Sequence, residues 1–185
     1  MKRVVVTGMS LTSPLGSDIN TAFESLQKLE NCIEYNKDLD QYKRLNTRLS
    51  ARVKGFEIPS TYNRKVLRTM GPLSVMAVRT AELALEDAGL LGNEIITNGD
   101  TGVSYGSSSG SLDAIIDFYG MQIDKEVKGL NSGSYVKMMP QTTAVNISLY
   151  FKTTGRLVPC STACTSGSMG VGYAYEAIKN GYATV

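Results

Sequence analysis

Residues 157–181 read LVPCSTACTSGSMGVGYAYEAIKNG, and the order of elements in this stretch decides the fold. Leu157 and Val158 carry a short apolar strand. A helical pattern starts at Ser166, runs to Asn180 and is stopped by Gly181. Between them lie small residues and one cysteine, Cys164. A helix start leaves backbone N–H groups unpaired and carries about half a positive elementary charge, so it stabilises an anion held there. A thiolate is such an anion, and at such sites the pKa of a cysteine falls from about 8.5 into the neutral range or below, giving a nucleophile that needs no base. From the local pattern alone, Cys164 reads equally as a small buried apolar residue. Gly167, Gly170 and Gly172 tilt the balance towards a site, because they let backbone approach a substrate or another helix closely. Cys160, at the strand end, reads as a buried, inert thiol.

Working outward, the same alternation recurs. Residues 3–7 form a β-branched run closed by Gly8 and read as a buried strand. Ser17 is placed to cap a helix over residues 18–29, with Ile19, Ala22, Phe23 and Leu26 on one face. Residues 30–62 are polar and irregular, a surface excursion with a short strand expected near residues 51–53. Pro72 then starts a helix that Gly89 stops. Residues 101–105 read as a second strand running into Gly106, Ser107, Ser108, Ser109 and Gly110. Helices follow over residues 112–121 and 142–151, separated by a loop rich in Gly, Asn and Ser. Strands alternating with helices predict an α/β domain with a mainly parallel sheet. Ala183, Thr184 and Val185 fall where the next strand should begin, so the chain is expected to be a fragment or one half of a split protein, because an abandoned sheet edge is costly when buried.

Composition narrows the function classes. The 185 residues are 42% apolar, enough for one packed domain. The 19 basic and 17 acidic side chains are mixed along the chain and sum to +2, which implies neither nucleic acid nor a membrane surface as partner. The three valines near the amino terminus are too short for a signal-peptide core, and no stretch approaches the roughly 18 apolar residues of a membrane span. Three cysteines, Cys32, Cys160 and Cys164, have no metal-like spacing. The expectation is a soluble chain in the reduced cytoplasm, without metal or cofactor. It contains no histidine, the side chain best suited to proton transfer near neutral pH.

The remaining motifs have plain readings. The run 105–110 lacks the spaced glycines and the Lys followed by Ser or Thr of a phosphate loop, and reads as a tight strand-to-helix connection. Met138, Met139 and Pro140 read as core packing, and Thr142 and Thr143 as caps of the following helix.

The segment S-T-A-C-T-S-G around Cys164 resembles the active-site segment of the β-ketoacyl-acyl-carrier-protein synthases, the condensing enzymes of fatty-acid and polyketide synthesis. The opening R-V-V-V-T-G-M-S-L-T-S-P-L-G, the middle V-S-Y-G-S-S-S-G, and then M-P-Q-T-T-A-V-N and T-G-R-L-V-P-C-S-T-A-C-T-S-G keep that family's order and spacing. The resemblance covers nearly all of the chain. A cysteine this far along resembles the elongating type I and II synthases; thiolases and initiating type III synthases place theirs earlier.

What the resemblance implies is specific. The fold would be thiolase-like, α/β halves layered αβαβα, with this chain as the N-terminal half carrying a mixed, mostly parallel sheet. Cys164 would take the acyl chain as a thioester from acyl carrier protein, and its own backbone N–H would give one oxyanion-hole donor, such donors being worth on the order of 3 kcal/mol each. The second donor, two histidines and a lysine that serve malonyl decarboxylation would lie in the other half. The chain alone could then at most be acylated. Ser109 aligns with a position that often carries a bulky apolar gate of the acyl pocket, which implies a substrate other than plain saturated chains, such as an unsaturated or aryl-containing one. Alternatively, Ser109 merely caps the next helix. Thr165 is the other candidate substrate-binding residue. The implied assembly is a homodimer or a ketosynthase heterodimer. Two other functions stay open: a non-catalytic partner subunit resembling chain-length factors, which usually replace the nucleophile, and a complete small α/β binding protein.

Overall fold

A computed structural model describes residues 2–185. The longest helix organises it. Pro72 supplies a preset φ at the first turn of α3, Pro72–Asp87, and Gly89, with φ +67°, ends it. Helix α6, Thr142–Phe151, packs against α3. Val75 and Val78 of α3, Ile147 of α6, and Tyr62 and Met70, which flank the short helix α2, Arg64–Leu67, form the core. Buried hydroxyls and amides cross the same interface in pairs. Ser74 Oγ lies 3.1 Å from Thr143 Oγ1. Asn146 Nδ2 donates to the Thr69 carbonyl at 3.2 Å and its Oδ1 accepts from Thr69 Oγ1 at 2.7 Å. Thr142 and Thr143 are therefore buried inside α6 and do not cap it.

Strand β3, Val103–Gly106, pairs in parallel with β4, Leu157–Cys160, in the register Val103 to Leu157. Helix α7, Ser166–Lys179, covers β3. At the start of β3, Gly102 N–H donates to the Val185 carbonyl at 2.9 Å, and Thr184 N–H to the Asp100 carbonyl at 2.8 Å. Outside this parallel pair, β1, Glu34–Tyr35, and β2, Leu49–Ser50, form a small antiparallel ladder in the excursion. The expected strand near residues 51–53 sits slightly earlier, where Tyr35 finds Leu49 opposite it.

Three further expectations differ from the structure. The first helix, α1, is Ile19–Gln27, and its cap is Asp18, not Ser17: the Asp18 carboxylate accepts from Thr21 N–H at 2.7 Å and Thr21 Oγ1 at 2.8 Å. Only Ala22 of its apolar face is buried, while Phe23 and Leu26 are exposed. Residues 3–7 form no strand. They have no ladder partner, Val6 is 76% exposed, and the following Met9 and Ser10 bond to α3 through Asp87 Oδ2 and the Thr80 carbonyl. A β-branched run is a strand only beside another strand. The loop expected before residue 142 contains α5, Ser132–Met138, capped by Asn131 Oδ1, which accepts from Gly133 and Ser134 N–H. Helix α4, Asp113–Asp124, precedes it. Among the described residues no helix is long and apolar enough to cross a membrane.

Candidate functional site

Parallel strands send their following loops to one edge of the sheet, and in open α/β sheets ligands bind at that carboxyl edge. Here β3 feeds residues 107–111 and β4 feeds residues 161–165. The two exits are tied together by the Ser107 N–H, which donates to the Cys160 carbonyl at 2.9 Å. Within this chain Cys160 is buried and Cys164 is exposed.

Cys164 sits in a single 3-10 turn, Ala163–Thr165, immediately before α7. The residue ahead of it, Ala163, has φ +52°. A left-handed alanine costs on the order of 1 to 3 kcal/mol and persists only where surrounding bonds fix it. Those bonds come from Ser166: its buried Oγ donates to the Ala163 carbonyl at 2.7 Å and accepts from the Thr162 N–H at 2.9 Å. The turn thus leaves the exposed Cys164 side chain next to the amino end of a helix of 14 residues.

Thr165, expected to touch substrate, spends its hydroxyl inside the turn, donating to the Thr162 carbonyl at 2.8 Å and lying 3.1 Å from Thr162 Oγ1. Ser109 is half-buried at the middle of the loop after β3. Its carbonyl accepts from Ser107 Oγ at 2.6 Å. Helix α4 has Leu112 at its cap position and no side-chain cap bond, so Ser109 does not cap it. The loop end is pinned to α5 by Gly110 N–H on the Met138 carbonyl at 3.0 Å and Ser111 N–H on the Lys137 carbonyl at 2.8 Å.

Sequence reasoning did not single out Ser166 or Gly106. A Cβ at Gly106 would lie 2.0 Å from the Ser166 carbonyl oxygen, and one at Gly170 would lie 3.2 Å from Gly106 N. Ser104 Oγ donates to the Gly170 carbonyl at 2.7 Å. The small residues around Cys164 therefore serve helix-to-strand contact at Gly106 and Gly170, and the density of small residues was the one signal in the sequence. A separate apolar cavity of about 690 Å³ lies between residues 7–12, α3 and β3, lined by Met76, Ala81, Ala84 and Tyr105 among others. It contains neither Cys164 nor Ser109.

Residues 1–185 match the family model described as the N-terminal domain of β-ketoacyl synthase. Over 184 residues the chain is 30% identical to 3-oxoacyl-[acyl-carrier-protein] synthase 1 of Buchnera aphidicola, covering 98% of this chain and 44% of that protein. It is 30% identical to 3-oxoacyl-[acyl-carrier-protein] synthase 2 of Vibrio cholerae, covering 97% and 43% respectively. The chain thus spans less than half the length of these curated relatives. A solved β-ketoacyl synthase from Burkholderia phymatum superposes with a TM-score of 0.93 at 47% identity, covering 99% of this chain and 45% of that one. The ishigamide ketosynthase/chain length factor shares the fold, with a TM-score of 0.83 at 20% identity over 98% of this chain and 45% of that one. The architecture is accordingly that of the thiolase-like ketosynthases.

Proposed function

Because the chain belongs to the β-ketoacyl synthase N-terminal domain family, we propose that it is the N-terminal half of an elongating β-ketoacyl-acyl-carrier-protein synthase in which Cys164 is the acyl acceptor. One observation carries this reading: Cys164 is exposed on a strained turn at the start of α7 while its neighbour Cys160 is buried. The Cys164 thiolate attacks the thioester carbonyl of an acyl carrier protein, and the tetrahedral oxyanion accepts hydrogen bonds, one of them from the Cys164 N–H. Collapse expels the carrier thiolate, which takes a proton, and leaves an acyl thioester on Cys164. Malonyl carrier protein then loses carbon dioxide, its carbanion equivalent attacks that thioester, and Cys164 departs as thiolate. The 185 residues contain no histidine, and the resemblance assigns the two histidines and the lysine that stabilise the carbanion equivalent to the other half of such a synthase, so this reading puts condensation there.

Acyl carrier protein is the partner in both half-reactions, and the working assembly is a homodimer or a ketosynthase heterodimer in the cytoplasm. The test is intact and peptide mass spectrometry of the full-length protein after incubation with an acyl carrier protein thioester. An acyl adduct on the peptide holding Cys164, absent from Cys164→Ala, is expected. An unmodified Cys164 in a protein that still raises a partner ketosynthase's activity would replace this reading with a chain-length-factor role.

A further inference from the structure

We infer that Ser166 is a positioning residue for Cys164, acting through the backbone of the turn, an inference that rests on reading Cys164 as the acyl acceptor. Ser166 is the first residue of α7, where a serine would ordinarily either face solvent or cap the helix. It does neither. It is 3% exposed, and its hydroxyl points back along the chain to bridge the Thr162 N–H and the Ala163 carbonyl. Those two groups bracket residues 162 and 163, and with them the left-handed backbone angle beside the thiol, at Ala163. The hydroxyl is both donor and acceptor, so it ties the peptide before Thr162 to the peptide after Ala163.

Ser166 is itself fixed from the other side. Its carbonyl lies where any side chain at Gly106 would sit, and Gly106 is the last residue of β3. The position of the turn is therefore referred to the sheet through one residue: β3 sets Ser166, Ser166 sets Ala163, and Ala163 sets the direction in which Cys164 leaves the backbone. Without the hydroxyl, the Thr162 N–H loses its partner and the Ala163 carbonyl keeps only the Ser166 N–H, so the turn around the left-handed alanine loosens and the thiol is held less firmly at the helix start. Thr165 holds a different group, the Thr162 carbonyl of the peptide leading into Ala163, and does not supply this bridge.

The experiment compares wild type, Ser166→Ala and Ser166→Thr in the full-length protein. The rate of Cys164 alkylation by iodoacetamide is followed at fixed pH by peptide mapping, beside the rate of acyl transfer and the melting temperature. Ser166→Ala should slow both reactions at Cys164 by about tenfold, the consequence of losing a hydrogen bond of ordinary strength at a buried site, with Cys32 reacting as before. Ser166→Thr, which keeps the hydroxyl, should restore the rate. If the alanine variant does not fold, Ser166→Cys fills the same space with a weak donor and is read in its place. Wild-type rates in the hydroxyl-free variant overturn the inference, as does equal slowing in Ser166→Thr. Because iodoacetamide needs only a reactive thiol, an effect on alkylation in a protein that accepts no acyl group from carrier protein would uphold Ser166 and refute the acyl-acceptor reading instead.

Discussion

Gly106 and the carbonyl of Ser166 meet without a side chain between them: a Cβ on Gly106 would be 2.0 Å from that oxygen and 2.6 Å from Gly167 N. Backbone cannot yield as a side-chain tip can. Gly106→Ala should therefore push α7 off β3, costing about 1 to 3 kcal/mol as overpacking does, and should slow Cys164 alkylation as the helix start shifts. A urea titration gives the first quantity. An alanine variant as stable and reactive as wild type would mean the contact is soft.

Glu82 gathers the polar groups between the excursion and the helical layer. Tyr62 donates to its Oε2 at 3.1 Å, Tyr150 to its Oε1 at 3.3 Å, and Arg79 pairs with the same carboxylate. Tyr62 is 4% exposed, so Glu82→Ala strands a buried hydroxyl and should cost about 2 kcal/mol. Tyr150→Phe, which leaves Tyr62 bonded, should cost less. The order of the two denaturation midpoints checks this.

Burial holds the Tyr105 hydroxyl above the usual tyrosine range, and desolvation does the same for Tyr62 and Tyr150. A raised folded-state pKa means that the unfolded chain releases its proton first as pH rises. Stability should hold below about pH 10, the ordinary tyrosine value, and fall as pH climbs above it. Tyr105→Phe should shallow that alkaline decline and leave the neutral region nearly unchanged. A decline of the same steepness in the variant would show that Tyr105 takes no part in it.

The family resemblance implies that Ser109 sets a hydroxyl at an acyl-pocket position often held by a bulky apolar gate, and the prediction rests on that proposal. An unpaired hydroxyl against an aliphatic tail costs about 1 to 3 kcal/mol. Ser109→Ile should accordingly shift the ratio of transfer rates towards saturated acyl groups by about tenfold or more. Equal wild-type rates with saturated and polyene acyl carriers would remove the premise.

The sequence announced α3, with Pro72 and Gly89 at its ends, and α6 at its observed bounds, because each carries local punctuation and a periodic face. It announced the strand, turn and helix around Cys164 for the same reason. It misread residues 3–7, since strand formation there depends on a neighbour that local pattern does not specify. It missed α5, whose Gly133, Ser132 and Ser134 read as a loop and which is held by the Asn131 cap and by Ser134 Oγ donating to Asp117 at 2.7 Å. Ser166 was invisible for a subtler reason. Its role depends on the φ of Ala163, and nothing in an alanine signals a left-handed angle.

The bonds from Gly110 and Ser111 to Met138 and Lys137 make the loop after β3 and the end of α5 one object, although they lie far apart in sequence. Gly110 has no room even for a methyl group, which would meet the Lys137 carbonyl at 2.2 Å. Selection on the loop that holds Ser109 therefore cannot act at one locus. Among relatives, residues 109–111 and 137–139 should drift together, and an engineer who changes one triplet should expect to rewrite the other.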